Sequence, residues 1–241
     1  MSVIRSFKLP VFLIFLLFMG CAKTNVRTTN VVDSANLAKP DKVLVQDFTV
    51  DIKDIQTSSS PLSKLQRAMA DESLGAAQTE LGREVTNALA NELTEKIKAL
   101  GFNVVRISQP VQIPQGAILI TGRFSNINEG NAIRRNVIGL GLGQSSLDSE
   151  VHVFAPLPSG DNEELILFNA HTDSGEMPGA AVMGPVGAAA GAGTAAVIGL
   201  NAAKGVASSY KSASAKQAEK LAENIAAELA KYFARQGWIK P

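Results

Sequence analysis

One cysteine, two histidines and one tryptophan in 241 residues leave this chain short of the side chains that build disulfides, metal centres and aromatic platforms. Cys21 is the lone cysteine and has no internal partner, so no disulfide staples the fold. His152 and His171, even with Glu150 and Asp173 close by in sequence, have no ligand-spacing motif, and no metal or other cofactor is expected. Ser174 lies near these histidines in sequence, but it lacks the nucleophile-elbow pattern of a hydrolase. Excess charge is lacking too. Twenty-three basic residues face 22 acidic ones, which removes the electrostatic case for nucleic acid. The glycine run Gly139-Leu140-Gly141-Leu142-Gly143 is not a dinucleotide loop, because Gln144 stands where that fingerprint continues and a strand, not a helix, follows.

What is present begins at the N-terminus. Arg5 and Lys8 precede the apolar run Leu9 to Met19, then Gly20 and Cys21. A basic start, a short apolar core and a small residue form a secretory signal peptide over residues 1–20. The run is shorter than the roughly 20 residues that span a bilayer. Cys21 after Gly20 resembles the lipobox of bacterial lipoproteins, with Phe18 and Met19 where such boxes favour leucine and a small residue. Lipidation of Cys21 would tie the protein to a membrane at the periplasmic face of the cell envelope. Ala22 in place of an aspartate favours the outer membrane by the sorting habit of enteric lipoproteins. Residues 21–39 are polar and without period, and they read as a tether.

A single domain over residues 40–241 follows. Lys42 to Val50 reads as a strand rich in branched residues. Leu62, Leu65 and Met69 recur at helical spacing, giving a short helix over 62–73. Leu81, Val85, Leu89, Leu93, Ile97 and Leu100 form one long stripe, so a helix runs over about 78–100 and ends at Gly101. Phe102 to Ile107 is the next strand, and strand–helix–strand suggests a crossover unit with its helix on one sheet face. The central stretch, Ile118 to Phe154, reads as strand, glycine-rich loop and strand. Leu165 to His171 returns as a further strand. A tight Gly160-Asp161 tip predicts Val151 opposite Ala170, and Glu150 opposite His171 on the other face.

Met177 to Ala203 is uncharged and mainly alanine and glycine, within an insertion over 177–206. Its small-residue spacing fits a loop or loosely packed helix, oligomer packing, or membrane insertion. Residues 212–238 form the last helix, with Ser214 and Gln217 at capping-box spacing and Gly237 at its end. The fold class is α/β (α+β): one mixed sheet with the long helices on one face, plus the Gly/Ala-rich insertion.

The run Gly122-Arg123-Phe124, Asn128-Glu129-Gly130-Asn131, Arg134-Arg135 and Ile138-Gly139-Leu140-Gly141-Leu142-Gly143 resembles a family of bacterial lipoproteins grouped as domain of unknown function 4410. The likeness extends from Val43 to the final helix. The family carries no assigned activity, so it implies no functional residue. The order of elements is also similar to the N-terminal domain of the periplasmic protein TolB, to the curli secretion lipoprotein and to lipoprotein activators of peptidoglycan synthases. That is a likeness of topology, which does not confer function.

These readings point to a non-enzymatic binding or assembly module, lipid-anchored in the envelope and meeting an envelope protein partner. The candidate partner surface is the loop from Asn128 to Gly143, with Glu129, Asn131, Arg134 and Arg135 as contact residues, because loops on a rigid scaffold carry contacts. The alternative is a homo-oligomeric or pore-forming component built through the Gly/Ala-rich segment. An enzyme of unknown type is the third reading.

Overall fold

The computed structural model describes residues 24–31, 37–131, 143–174 and 213–240. They form one mixed sheet and three helices. In chain order the elements are β1 (Thr24–Val31), β2 (Lys42–Gln46), β3 (Thr49–Val50), β4 (Ile55–Gln56), α1 (Pro61–Met69), α2 (Leu74–Ala99), β5 (Val104–Ile107), β6 (Ala117–Asn128), β7 (Ser146–Pro156), β8 (Asn162–Asp173) and α3 (Ala213–Arg235). The strand order is β1-β8-β7-β6-β2-β5, and β3 and β4 continue the β2 side of β6 beyond the end of β2. Pairing is parallel among β2, β5 and β6 and antiparallel from β6 through β7 and β8 to β1.

The expected fold class holds: α2 and α3 cover one face of the mixed sheet. Leu81, Val85, Leu89, Leu93 and Ile97 of α2 are buried with Leu221, Ile225, Leu229 and Phe233 of α3, over Ile120, Phe124, Val151, Val153, Ile166 and Phe168 of the sheet. The strand residues alternate because successive side chains point to opposite faces. The predicted crossover is also present, with β2 and β5 parallel and α2 between them in sequence. Gly101 and Gly237, both at positive φ, end the two long helices. After the second, Trp238 folds back edge-on to Tyr232 and donates its indole N–H to the Leu37 carbonyl at 2.8 Å.

Several expectations change. Within the predicted tether, Thr24–Val31 is a strand, antiparallel to β8 from Thr24 opposite Thr172 to Val31 opposite Ile166. Its polar composition suits an edge position, and Val26 packs against the core. The strand expected over 42–50 breaks at Asp47–Phe48 into β2 and β3. The β7–β8 register is two residues from the predicted one: Val151 faces Phe168 and Glu150 faces Asn169. The connecting loop is wider than a two-residue tip, closed by Leu157 N–H to the Asp161 carbonyl at 2.7 Å, and a bulge follows between Val153 and Phe154. An even shift keeps every side chain on its predicted face. Ser214 and Gln217 do not form a capping box. Both are buried, and Gln217 Nε2 instead donates to the Ser145 carbonyl at 3.0 Å. The insertion over 177–206 lies outside the described residues. Among the described residues no helix is long and apolar enough to cross a membrane.

Leu89 and Leu93 are fully buried, whereas the Lys98 side chain is exposed beside Glu95. Truncating either leucine to alanine should cost about 2–5 kcal/mol, by loss of burial and creation of a cavity. Lys98→Ala should stay within about 0.5 kcal/mol. Chemical denaturation of the three variants checks this, and equal midpoints would contradict the packing.

Candidate functional site

The second face of the sheet divides into two halves. At one end Leu44, Ala117 and Leu119 are covered by Ile113 from the β5–β6 connection. The other half is left to polar side chains, since the alternation that buries Val151 and Phe168 sends Asp148, Glu150, His152, Asn169 and His171 outward.

One position on β6 makes the strand packing possible. A Cβ on Gly122 would come closer than 3.0 Å to the Glu150 carbonyl oxygen and to the Phe48 ring. Glycine there lets Phe48 lie across β6 and meet Phe124, with ring centroids 6.1 Å apart. The motif that begins at Gly122 is therefore structural at its first residue.

The open half is organised as histidine–carboxylate pairs. His152 places Nδ1 2.5 Å from Glu164 Oε1 and Nε2 3.0 Å from Glu150 Oε1. Both contacts are hydrogen bonds only when the ring carries two protons. Arg123 joins Glu150 at 3.6 Å. The hydrogen bond from His152, reinforced by the charges of His152 and Arg123, holds the Glu150 carboxyl below its ordinary 4.5. Further along, His171 Nδ1 lies 2.6 Å from Asp148 Oδ1, and Asn126 donates to Asp148 Oδ2 at 2.9 Å. His171 and His152 are not brought together. His171 stands opposite Asp148 and His152 opposite Leu167, four residues apart on β7, or about 13 Å. Among the described residues no group of three His, Cys, Asp or Glu side chains is arranged to hold a metal ion.

Two depressions meet at His171. One, of about 430 Å³, lies on the sheet face between Arg27, Asp148, Asn169 and His171. The other, of about 670 Å³, lies at the end of the sheet between Gln56, Asn128, Asn131, Ser146, His171 and Asp173. The lining is rich in amide and hydroxyl groups, which suits hydrogen bonding to a polar partner.

Of the residues expected to make partner contacts, Glu129 and Asn131 are in this region. The Glu129 carboxylate accepts the Ser58 N–H at 2.7 Å, and its own N–H donates to the Gln56 carbonyl at 2.9 Å. Its position is thus set by the segment leading into α1. Asn131 N–H donates to the Gly143 carbonyl at 2.9 Å, which extends the β6–β7 ladder past both strands. Arg134, Arg135 and Cys21 lie outside the described residues. Asp148, Asn126 and Arg27 were not singled out from sequence. Asp148 was detectable as the outward-facing residue opposite His171, but only with the β7–β8 register in hand.

A family model described as Domain of unknown function (DUF4410) matches residues 43–191. The chain belongs to this family. The match begins in β2 and includes β6, β7 and β8, so the whole paired polar face except β1 lies within the DUF4410 segment. No curated protein matches the chain. Among solved structures, the PelC dodecamer from Paraburkholderia phytofirmans is similar, at 16% identity over 63% of this chain and 83% of that one, with a TM-score of 0.31.

The Glu150 pairing in this DUF4410 chain predicts an acid response. A carboxyl whose value is depressed by folding adds stability above its unfolded value, and that contribution is lost as pH falls through the folded value. The melting midpoint should therefore drop as the pH is lowered past the ordinary carboxyl value of 4.5, with a smaller drop in Glu150→Gln. Thermal melts of both proteins across that range measure the difference, and parallel curves would contradict the pairing.

Proposed function

We propose that the protein is a lipid-anchored envelope lipoprotein that acts as a non-enzymatic binding or assembly module on the periplasmic face, with the outer membrane favoured. The observation that carries this reading is the leader: Arg5 and Lys8, the apolar run Leu9–Met19, and Gly20 placed directly before the only cysteine. Several acyl chains on Cys21 would hold the protein at a membrane, since each buried methylene contributes roughly 0.8 kcal/mol. Confinement to that surface raises the effective concentration of the domain for partners there.

The polar end of the sheet supports a binding role. Asn128, Asn131, Ser146 and Gln56 line a depression at the base of the loop that carries Arg134 and Arg135. The side-chain contacts of both histidines go to carboxylates rather than to a hydroxyl or thiol nucleophile. Likeness to TolB-type envelope domains belongs to the same reading, and it is a statement of topology. The oligomeric or pore-forming alternative rests on residues 177–203, outside the described part of the chain.

The anchor is tested by Cys21→Ser, which should free the protein from membranes or leave its leader uncut. Membrane fractionation with intact-mass measurement reads both, and retention with normal processing would overturn the anchor. The partner surface is tested by Arg134→Ala/Arg135→Ala. Exposed charges contribute under about 1 kcal/mol per pair, so melting should hardly change. Crosslinked partners should be lost, because arginine carries a large share of affinity at many interfaces. An unchanged crosslinking pattern would remove the pair from the proposed surface.

A further inference from the structure

Helix α1 has its faces reversed for a helix that packs on a core. Leu62, Leu65 and Met69 fall within about 60° of one another around its axis, at 3.6 residues per turn. They are 55%, 57% and 80% exposed, and α1 buries no residue at all. Its polar side is the one turned inward. Arg67 donates from both terminal nitrogens to the Ser58 carbonyl at 3.3 Å, and Ser60 caps the first turn by accepting the Ser63 N–H at 3.1 Å. Ser63, Gln66 and Arg67 share a polar depression of about 360 Å³ with Glu80, Glu84 and Glu129. Leu74, at the start of α2, is also exposed, at 57%. An amphipathic helix held by its polar face presents its apolar face to whatever lies outside.

The position of the helix identifies the occupant. Ser58 N–H on the Glu129 carboxylate ties the segment before α1 to the end of β6. That end of the sheet is continuous across the strands, from Asn128 opposite Ser146, through Ser146 opposite Asp173, to Thr172 opposite Thr24. Cys21 precedes Thr24 by three residues, a reach of at most about 11 Å. On the anchored reading given above, this end of the sheet is held at the bilayer. From β1 to β4 there are four strand spacings, or about 19 Å, so the anchor and α1 flank the same end of the domain.

We propose that the Leu62–Leu65–Met69 face of α1, extended by Leu74, docks into the headgroup–acyl boundary of the phospholipid leaflet that holds Cys21. The inference rests on the anchored reading, and it adds an orientation to it. The anchor alone leaves the domain free to swivel; a second, apolar contact at the opposite flank sets the sheet end against the membrane. The β7–β8 hairpin then points away, about 35 Å from the surface along the eleven residues of β7.

The test uses the full chain carrying Met69→Cys, purified from membranes with Cys21 occupied by lipid. A fluorophore on the introduced thiol is read in phosphatidylethanolamine–phosphatidylglycerol vesicles containing a headgroup-level or a mid-chain nitroxide lipid. Ser159→Cys, at the exposed hairpin tip, is the control. The label at position 69 should shift to the blue and lose most of its fluorescence to the headgroup-level nitroxide, while the label at 159 keeps aqueous emission. Equal, aqueous emission at both positions from an acylated chain would overturn the docking and leave the anchor standing. Protection of position 69 from aqueous iodide without quenching by either lipid would mean a protein surface, such as a second copy of the chain, covers the helix, and would also overturn it. An intact mass without acyl chains would remove the anchored reading and this proposal together.

Discussion

Two helices far apart in sequence, α2 and α3, close over the same face of the sheet, and the other features follow from that layer. Their buried stripes meet each other and the inward residues of β6, β7 and β8 in one core. Lys96 on α2 reaches Glu223 on α3 at 2.8 Å at the rim of this contact. Because the helices occupy one face, the polar residues of the antiparallel strands have only the other face to occupy. The paired histidines and carboxylates are the remainder left by packing, brought into line by strand alternation.

A charge-linked joint steadies the parallel side. Arg106 on β5 closes a fork on Asp47, with Nε 2.5 Å from Oδ1 and Nη2 2.9 Å from Oδ2, and also reaches Asn87 and Asn91 on α2. Bidentate geometry of this kind fixes direction as well as distance. It couples the end of β2, the crossover helix and the edge strand at the place where β2 gives way to β3. The interruption at Asp47–Phe48 is thus a junction: Asp47 turns to Arg106 and Phe48 crosses the gap at Gly122.

Much of this architecture was legible in the sequence. The stripe from Leu81 to Ile97 located α2, its capping glycine located the end, an apolar run located β6, and alternation located the inward faces of β7 and β8. The features that were not legible depend on non-local geometry. β1 lacks an alternating apolar pattern because it is an edge strand, so only its partner β8 reveals it. The exact β7–β8 register depends on a five-residue loop and a bulge, neither of which leaves a clear residue signature. Leu62, Leu65 and Met69 signalled a helix correctly, but periodicity does not say whether a stripe faces inward. In the region of the candidate site, Glu129 and Asn131 stand out in the sequence as part of a motif, whereas the place of Asp148 opposite His171 required the register.

The pairing of β1 also imposes an order of assembly. Thr24 and Thr172 are separated by about 150 residues of chain, so the first described strand has no partner until nearly all of the others have been made. Until then the backbone of β8 is an unprotected edge, able to accept a strand from any source. Contacts of such long sequence separation form slowly because loop closure precedes any gain from them. The segment beside Cys21 is therefore the clasp of the sheet, the first strand in the order described and yet paired with the last.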